Sequence, residues 1–206
     1  MMEYRVEIDG ANYSMTELYS VTITQPLFER FSVGNACSAE LKISFSPKGT
    51  ISRMAKIVPF VRENIEDSWV QLGVFYIDTR SLNNGLMNIT AYDCMLKAET
   101  VWTPDQSIDF PLSMTDAVSN IAMLMGIPID SRTVLSSSYT VDYPANDYTL
   151  RDVLRYIAAA HGGNWIITSE EKLLLVPLFS SMPPETHYLV TESGNTITFG
   201  GVRILI

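Results

Sequence analysis

The sequence predicts a mainly β chain that becomes α+β: an N-terminal antiparallel, barrel-like β domain followed by a small α+β domain with two amphipathic helices. Three observations predict it. Before residue 95, apolar residues alternate at period two in about six or seven short segments separated by turn signals. From residue 110 the apolar period lengthens to about 3.6 in two segments, each opened by Ser/Thr-x-x-Asp and closed by glycine. The clearest two-stranded signal is 69–93 (WVQLGVFYIDTRSLNNGLMNITAYD), where Asn84-Gly85 takes positive φ cheaply and reverses the chain.

Tyr4, Val6 and Ile8 alternate with Arg5 and Glu7, and Asp9-Gly10 turns the chain into a hairpin through Tyr13. Val21, Ile23 and Gln25 continue the pattern. Gly34-Asn35 marks a bend, after which Ala39, Leu41, Ile43 and Phe45 form one face and Glu40, Lys42 and Ser44 the other. Segment 56–63 (KIVPFVRE) is apolar, but Pro59 cannot donate a ladder hydrogen bond, which predicts an edge strand or a bulge. In the central hairpin, Val70, Leu72, Val74 and Tyr76 share one face while Trp69, Phe75 and Ile77 share the other. A strand apolar on both faces is predicted to lie within a closed or covered sheet. Met87, Ile89 and Ala91 form one face of the return strand, and residues 94–101 predict one or two helical turns ended by Trp102-Thr103-Pro104.

Ser113 and Asp116 cap a helix carrying Ala117, Val118, Ile121, Ala122, Leu124 and Met125, which Gly126 and Pro128 stop. Thr149 and Asp152 cap a second one, with Val153, Leu154, Ile157 and Ala158, ending at Gly162-Gly163. Two amphipathic helices needing the same start and stop chemistry explain the shared pattern without a repeat architecture. Their apolar stripes are expected to pack on a sheet surface that includes Trp165 and Leu174. Segments 164–168 and 172–178 flank the polar turn 169–171 and predict a hairpin; 136–143 predicts a short strand. Residues 180–184 read as a linker, and 196–206 as strand material cut short at its start. The expected domains are therefore 1–101, 105–180 and 181–206.

A hydrophobic fraction of 47% and a charged fraction of 18% exclude a disordered chain. A net charge of −9 argues against gripping phosphates, which takes Lys and Arg. No window approaches the roughly 20 apolar residues of a membrane span, and the chain opens on a strand pattern rather than a basic leader, so synthesis and retention in the producing cell's cytoplasm are expected. Cys37 and Cys94 lack metal-ligand spacing and are expected to be reduced and buried.

The sequence offers no catalytic, cofactor or metal site. His161 and His187 have no flanking ligand cluster, and His161 falls where it would cap a helix C-terminus. There is no G-x-S-x-G, P-loop or G-x-G-x-x-G motif. Cys94 has acidic rather than basic neighbours, and Glu170-Glu171 and Glu66-Asp67 read as solvated tips. The expectation is a protein that is not an enzyme.

In order along the chain, Y-x-V-x-I-D-G at 4–10, F-S-V-G-N-A at 31–36, L-G-V-F-Y-I-D at 72–78, I-T-A-Y-D-C-M at 89–95 and L-R-D-V-L-R-Y-I-A-A-A-H-G-G-N-W at 150–165 resemble the tail hub proteins of phages and prophages of Gram-positive bacteria. These are related to the central baseplate hub of contractile-tailed phages and to the N-terminal region of siphophage tail-associated proteins. The resemblance implies two barrel-like tube domains per chain separated by α+β elements, in a trimer whose six barrels ring a lumen for DNA. It implies a structural role in the virion tail, made in the bacterial host cytoplasm. Its partners would be the tail tube, the tip or spike and other baseplate components, with no specific nucleic-acid binding and no membrane. In that frame 1–101 is the first tube domain and 181–206 the first strand of a second. Two alternatives belong to other classes: a cell-wall or carbohydrate-binding module, marked by an exposed aromatic row, and a peptidoglycan-cleaving enzyme.

Overall fold

The computed structural model describes residues 2–27, 32–104, 108–143 and 147–178, together with two short strands beyond them. In chain order the strands are β1 (Glu3–Ile8), β2 (Ala11–Ser14), β3 (Leu18–Thr24), β4 (Asn35–Ala36), β5 (Glu40–Phe45), β6 (Lys56–Arg62), β7 (Val70–Gln71), β8 (Phe75–Asn83) and β9 (Leu86–Tyr92). A 3₁₀ helix (Cys94–Glu99) follows, then β10 (Leu112–Ser113), α1 (Met114–Met125), β11 (Thr140–Val141), α2 (Leu150–Ala160), β12 (Gly163–Ile167) and β13 (Leu173–Pro177). The linker expected at 180–184 lies outside the described residues, and so does His187. Of the strand material expected at 196–206, β14 (Thr198–Phe199) and β15 (Val202–Arg203) are described and pair with each other.

The large antiparallel sheet runs β2-β1-β6-β8-β9-β5-β3, with β7 also on β6. Its two ends, β2 and β3, are consecutive in the chain and joined only by residues 15–17, a link that spans at most about 14 Å. The sheet therefore curls until its first and last strands lie near each other. Among the described residues no ladder joins them, so the closed sheet that the central hairpin suggested is corrected to an open one with a seam. Alternation holds along it: Val6 and Ile8, then Leu41, Ile43 and Phe45, then Ile89 and Ala91, all face one core with Ile57, Phe75 and Ile77. Each such side chain contributes about 1.5–3 kcal/mol through burial. Asp9 (φ 52°) with Gly10 (φ 80°), and Asn84 (φ 50°) with Gly85 (φ 78°), make the two tight turns where left-handed residues were expected.

Pro59 is where the pattern misled. β6 is an interior strand, paired with β1 on one side and with β7 and β8 on the other. The Pro59 carbonyl accepts from the Leu72 N–H at 2.9 Å, so the missing Pro59 donor faces the same way, toward the break between β7 and β8. No ladder partner waits there, and the proline is tolerated. That break, residues 72–74, also splits the strand expected from Val70 to Tyr76. Of its two apolar faces, Phe75 and Ile77 fill the first core while Tyr76 packs against a second.

The second core joins α1, α2, β12 and β13, and it recruits Ala36, Cys94, Met95, Ala98 and Trp102 from the preceding chain. Ser113 Oγ and Thr149 Oγ1 accept the backbone N–H of Asp116 and Asp152 at 3.1 Å, as the cap patterns predicted. Gly126 ends α1 at φ 71°, and Gly162 follows α2 at φ 61°. Val118, Ile121, Met125, Val153, Leu154 and Ile157 all face this core with Trp165. Leu174 does not; period-two alternation on β13 gives the helices Leu173 and Leu175 instead.

Asn164 ties β12 to the segment that leads from β3 into β4. Its fully buried amide accepts from Asn35 N (2.8 Å) and Asn35 Nδ2 (3.3 Å) and donates to Leu27 O (2.9 Å) and Ser32 O (3.2 Å). β4 then pairs in parallel with β12. Gly34 (φ 82°) passes so close to α2 that a Cβ there would lie 2.9 Å from the Ala159 Cβ.

Candidate functional site

The residues examined for chemistry are held in structural roles. His161 caps α2: Nδ1 lies 2.8 Å from the Ile157 carbonyl, and Nε2 accepts from the Ser136 N–H at 2.8 Å. A donated Nε2 lone pair fixes the ring as the Nδ1–H tautomer. Cys94 is buried, and burial, then the neighbouring Asp93 and Glu171 charges, push its thiol up to about 12, far from a nucleophile's range. Cys37 is buried as well, and neither cysteine forms a disulfide. Among the described residues no three His, Cys, Asp or Glu side chains are grouped to hold a metal ion. None of their helices is long and apolar enough to cross a membrane.

Asp93 is a buried acid whose carboxyl is raised well above its ordinary range. Burial pushes it up to about 6 from an ordinary 3.8, against the hydrogen bonds it accepts from Ala39 N (2.7 Å), Ser38 Oγ (2.9 Å) and Met95 N (3.0 Å). Those three bonds cap the 3₁₀ helix and hold the start of β5. Glu171 likewise belongs to a junction: it accepts from the Tyr76 hydroxyl at 2.5 Å and lies 3.5 Å from Lys56 Nζ. Beside it, Gln71 Nε2 donates to Ser169 O and Gln25 Nε2 to Ile167 O, so the β12–β13 turn is strapped to the large sheet. Glu66 and Asp67 are exposed, as expected of a loop.

What remains are surfaces. The two edges of the large sheet differ. Along β2, Ser14 N donates to Glu17 Oε2 (2.9 Å), Ser14 O accepts Glu17 N (2.9 Å), and Lys48 Nζ reaches Asn12 O (2.5 Å). A Lys48–Glu17 ion pair at 2.8 Å fixes both capping groups, so this edge resists strand addition. Among the described residues β3 pairs only with β5. Its outer edge is open, with Ser20, Thr22 and Thr24 exposed and Leu18, Val21 and Ile23 only half-buried at the seam.

A groove of about 580 Å³ runs along the outside of β1 and β2. Its wall is a stack of cations on aromatic rings: Arg5 lies 4.5 Å from the Phe60 centroid and 4.8 Å from that of Trp69, and Arg62 lies 4.4 Å from Trp69. Arg62 is matched by Glu3 and by the Ile65 carbonyl. Alternation put Arg5 on the solvent side of β1, but nothing local in the sequence announced this stack, because its members come from three separate segments.

Open sheet, curled β unit and helix-backed hairpin together form a fold that is shared with prophage tail proteins. Three solved structures carry it: a 43 kDa tail protein of prophage MuSo2 from Shewanella oneidensis (TM-score 0.63, 12% identity, 89% of this chain and 57% of that one), a tail protein from Neisseria meningitidis MC58 (0.56, 13%, 89% and 53%) and prophage tail protein gp18 from Listeria monocytogenes EGD-e (0.51, 12%, 94% and 64%). The chain thus spans between 53% and 64% of their lengths. No protein-family model matches the sequence, and no curated protein matches it either.

Proposed function

We propose that this chain is a structural component of a phage or prophage tail, a hub protein that joins the tail tube to the tip or spike around a DNA channel. The observation that carries the reading is a fold shared over 89–94% of the chain with tail proteins from three different bacteria. On this reading 1–101 is a barrel-like tube domain, 105–180 the α+β domain and 181–206 a linker leading into a second barrel. Three chains, each with two barrels, complete a ring of six. The open β3 edge supports such a ring, because a seam left unpaired within one barrel is available to a neighbour. Acidity supports the channel, since a lumen that attracted phosphates would retard DNA.

The structural duties of His161, Cys94, Asp93 and Glu171 support a non-enzymatic role. The carbohydrate-module alternative draws no support: Phe75 is buried, Tyr76 is bonded to Glu171, and the Trp69 ring is in contact with two guanidiniums, so they form no exposed aromatic row. Deleting the gene from the phage or prophage that encodes it and imaging induced lysates by negative-stain electron microscopy tests the reading. Tails missing their tip, restored by complementation, are expected; normal infectious particles would overturn it.

A further inference from the structure

We propose that the groove beside β1 receives a single Asp or Glu side chain from a protein partner, with the Arg5 guanidinium as its anchor. Phe60 and Trp69 hold that guanidinium by their rings, at 4.5 and 4.8 Å, so little conformational freedom is left to lose on binding. Among the described residues no carboxylate pairs with Arg5, and its Nε is buried without an acceptor. Arg5 lines the groove, so a carboxylate seated there lies within reach of its guanidinium. An arginine fork preorganised in this way matches a carboxylate geometrically.

The other cations of the groove are already satisfied, Arg62 by Glu3 and Lys48 by Glu17. Among the described residues lining the groove, Arg5 is the one cation without a carboxylate, on a chain of net charge −9. A single carboxylate suits that balance. A phosphodiester backbone does not, because its repeated charges would meet Glu3 and Glu17 on either side. Asn12, Ser14 and Thr16 line the same groove and supply neutral partners for the peptide groups flanking an acidic residue. The volume of about 580 Å³ admits a side chain with its adjoining backbone. Arginine and tryptophan side by side are also the residue types that dominate interface energetics. The inference rests on the groove alone and holds independently of the tail reading.

The test is a titration of the full 206-residue chain, followed by ¹H–¹⁵N NMR at the Arg5 Nε–H and the Trp69 indole. Three probes are compared: N-acetyl-glutamate N-methylamide, its glutamine counterpart, and dimethyl phosphate. Saturable shifts with the glutamate probe are expected, with binding about fivefold weaker or worse for the glutamine probe, the difference between a charge-assisted and a neutral hydrogen bond, and weaker binding of dimethyl phosphate. Arg5→Met should lose glutamate binding by a similar factor, and Arg5→Lys should fall between. No saturable glutamate shift, equal binding of glutamate and glutamine, or unchanged glutamate binding in Arg5→Met would each overturn the proposal. Tighter binding of dimethyl phosphate would overturn it in favour of nucleic acid. Should Arg5→Met fail to fold, the glutamate–glutamine comparison on the unaltered chain still decides.

Discussion

Replacing Asn164 by leucine keeps the branched outline of the side chain, adds some bulk and removes its hydrogen bonds, which tests the polar tie between β12 and the segment leading into β4. The buried Asn35 N–H loses its acceptor outright, and Leu27 O and Ser32 O lose a donor. An orphaned buried donor costs about 1–3 kcal/mol, while the carbonyls nearer the surface recover part of their loss from water at roughly 1 kcal/mol each. The sum is a destabilisation of about 3–5 kcal/mol, large against the 5–15 kcal/mol that holds a typical domain. Urea denaturation midpoints at constant slope would measure it. Hydrogen exchange at Asn35 and Cys37, whose N–H groups bond Asn164 and the Trp165 carbonyl, should accelerate beyond the global change. A loss under 1 kcal/mol with unchanged exchange would show that segment 32–37 is held by packing instead, and the reasoning about Asn164 would fail.

Other consequences can be checked on the same protein. Ile157→Ala, at a position 1% exposed in the second core, is expected to cost about 2–5 kcal/mol in denaturant unfolding through lost burial and a residual cavity. Because Asp93 sits at about 6 in the fold and 3.8 outside it, the native state holds its proton more tightly. Its contribution is thus fully present below pH 4 and is lost as pH rises through 6, about 3 kcal/mol in all. Subtracting the Asp93→Asn stability curve from that of the unaltered chain should expose this slope, and a flat difference from pH 4 to 7 would refute it. Light scattering coupled to size exclusion should find residues 1–206 mainly monomeric at low micromolar concentration, because a one-barrel chain lacks about half the contacts of the proposed ring; a stable trimer would show that the second barrel is dispensable.

What the sequence revealed and what it hid divide by the range of the interactions. Local periodicity was enough for β1, β5 and β9, where Val6, Leu41, Ile43, Ile89 and their neighbours fill the core on schedule, and for both helix caps. Pro59 misled because the need for its N–H depends on which strand lies opposite, and the break at residues 72–74 is a property of pairing rather than of composition. Leu174 was misassigned by choosing the wrong parity on a strand whose leucines face both ways. The recruitment of Ala36, Met95 and Trp102 into the second core had no local signal. Neither did the Arg5 stack, since Phe60 and Trp69 meet Arg5 only after β1 and β6 pair and the chain returns through β7. The candidate site was thus the least legible part of the chain, because it is assembled wholly from long-range contacts.

A place in a phage tail is tested most directly by cryo-electron microscopy of intact tails from the producing phage or induced prophage. Density matching the curled sheet and its helix-backed hairpin should appear at the end of the tail tube, repeated three times around the axis, between the last tube ring and the tip. Density for this chain along the tube shaft, on a peripheral fibre, or absent from purified tails would contradict it.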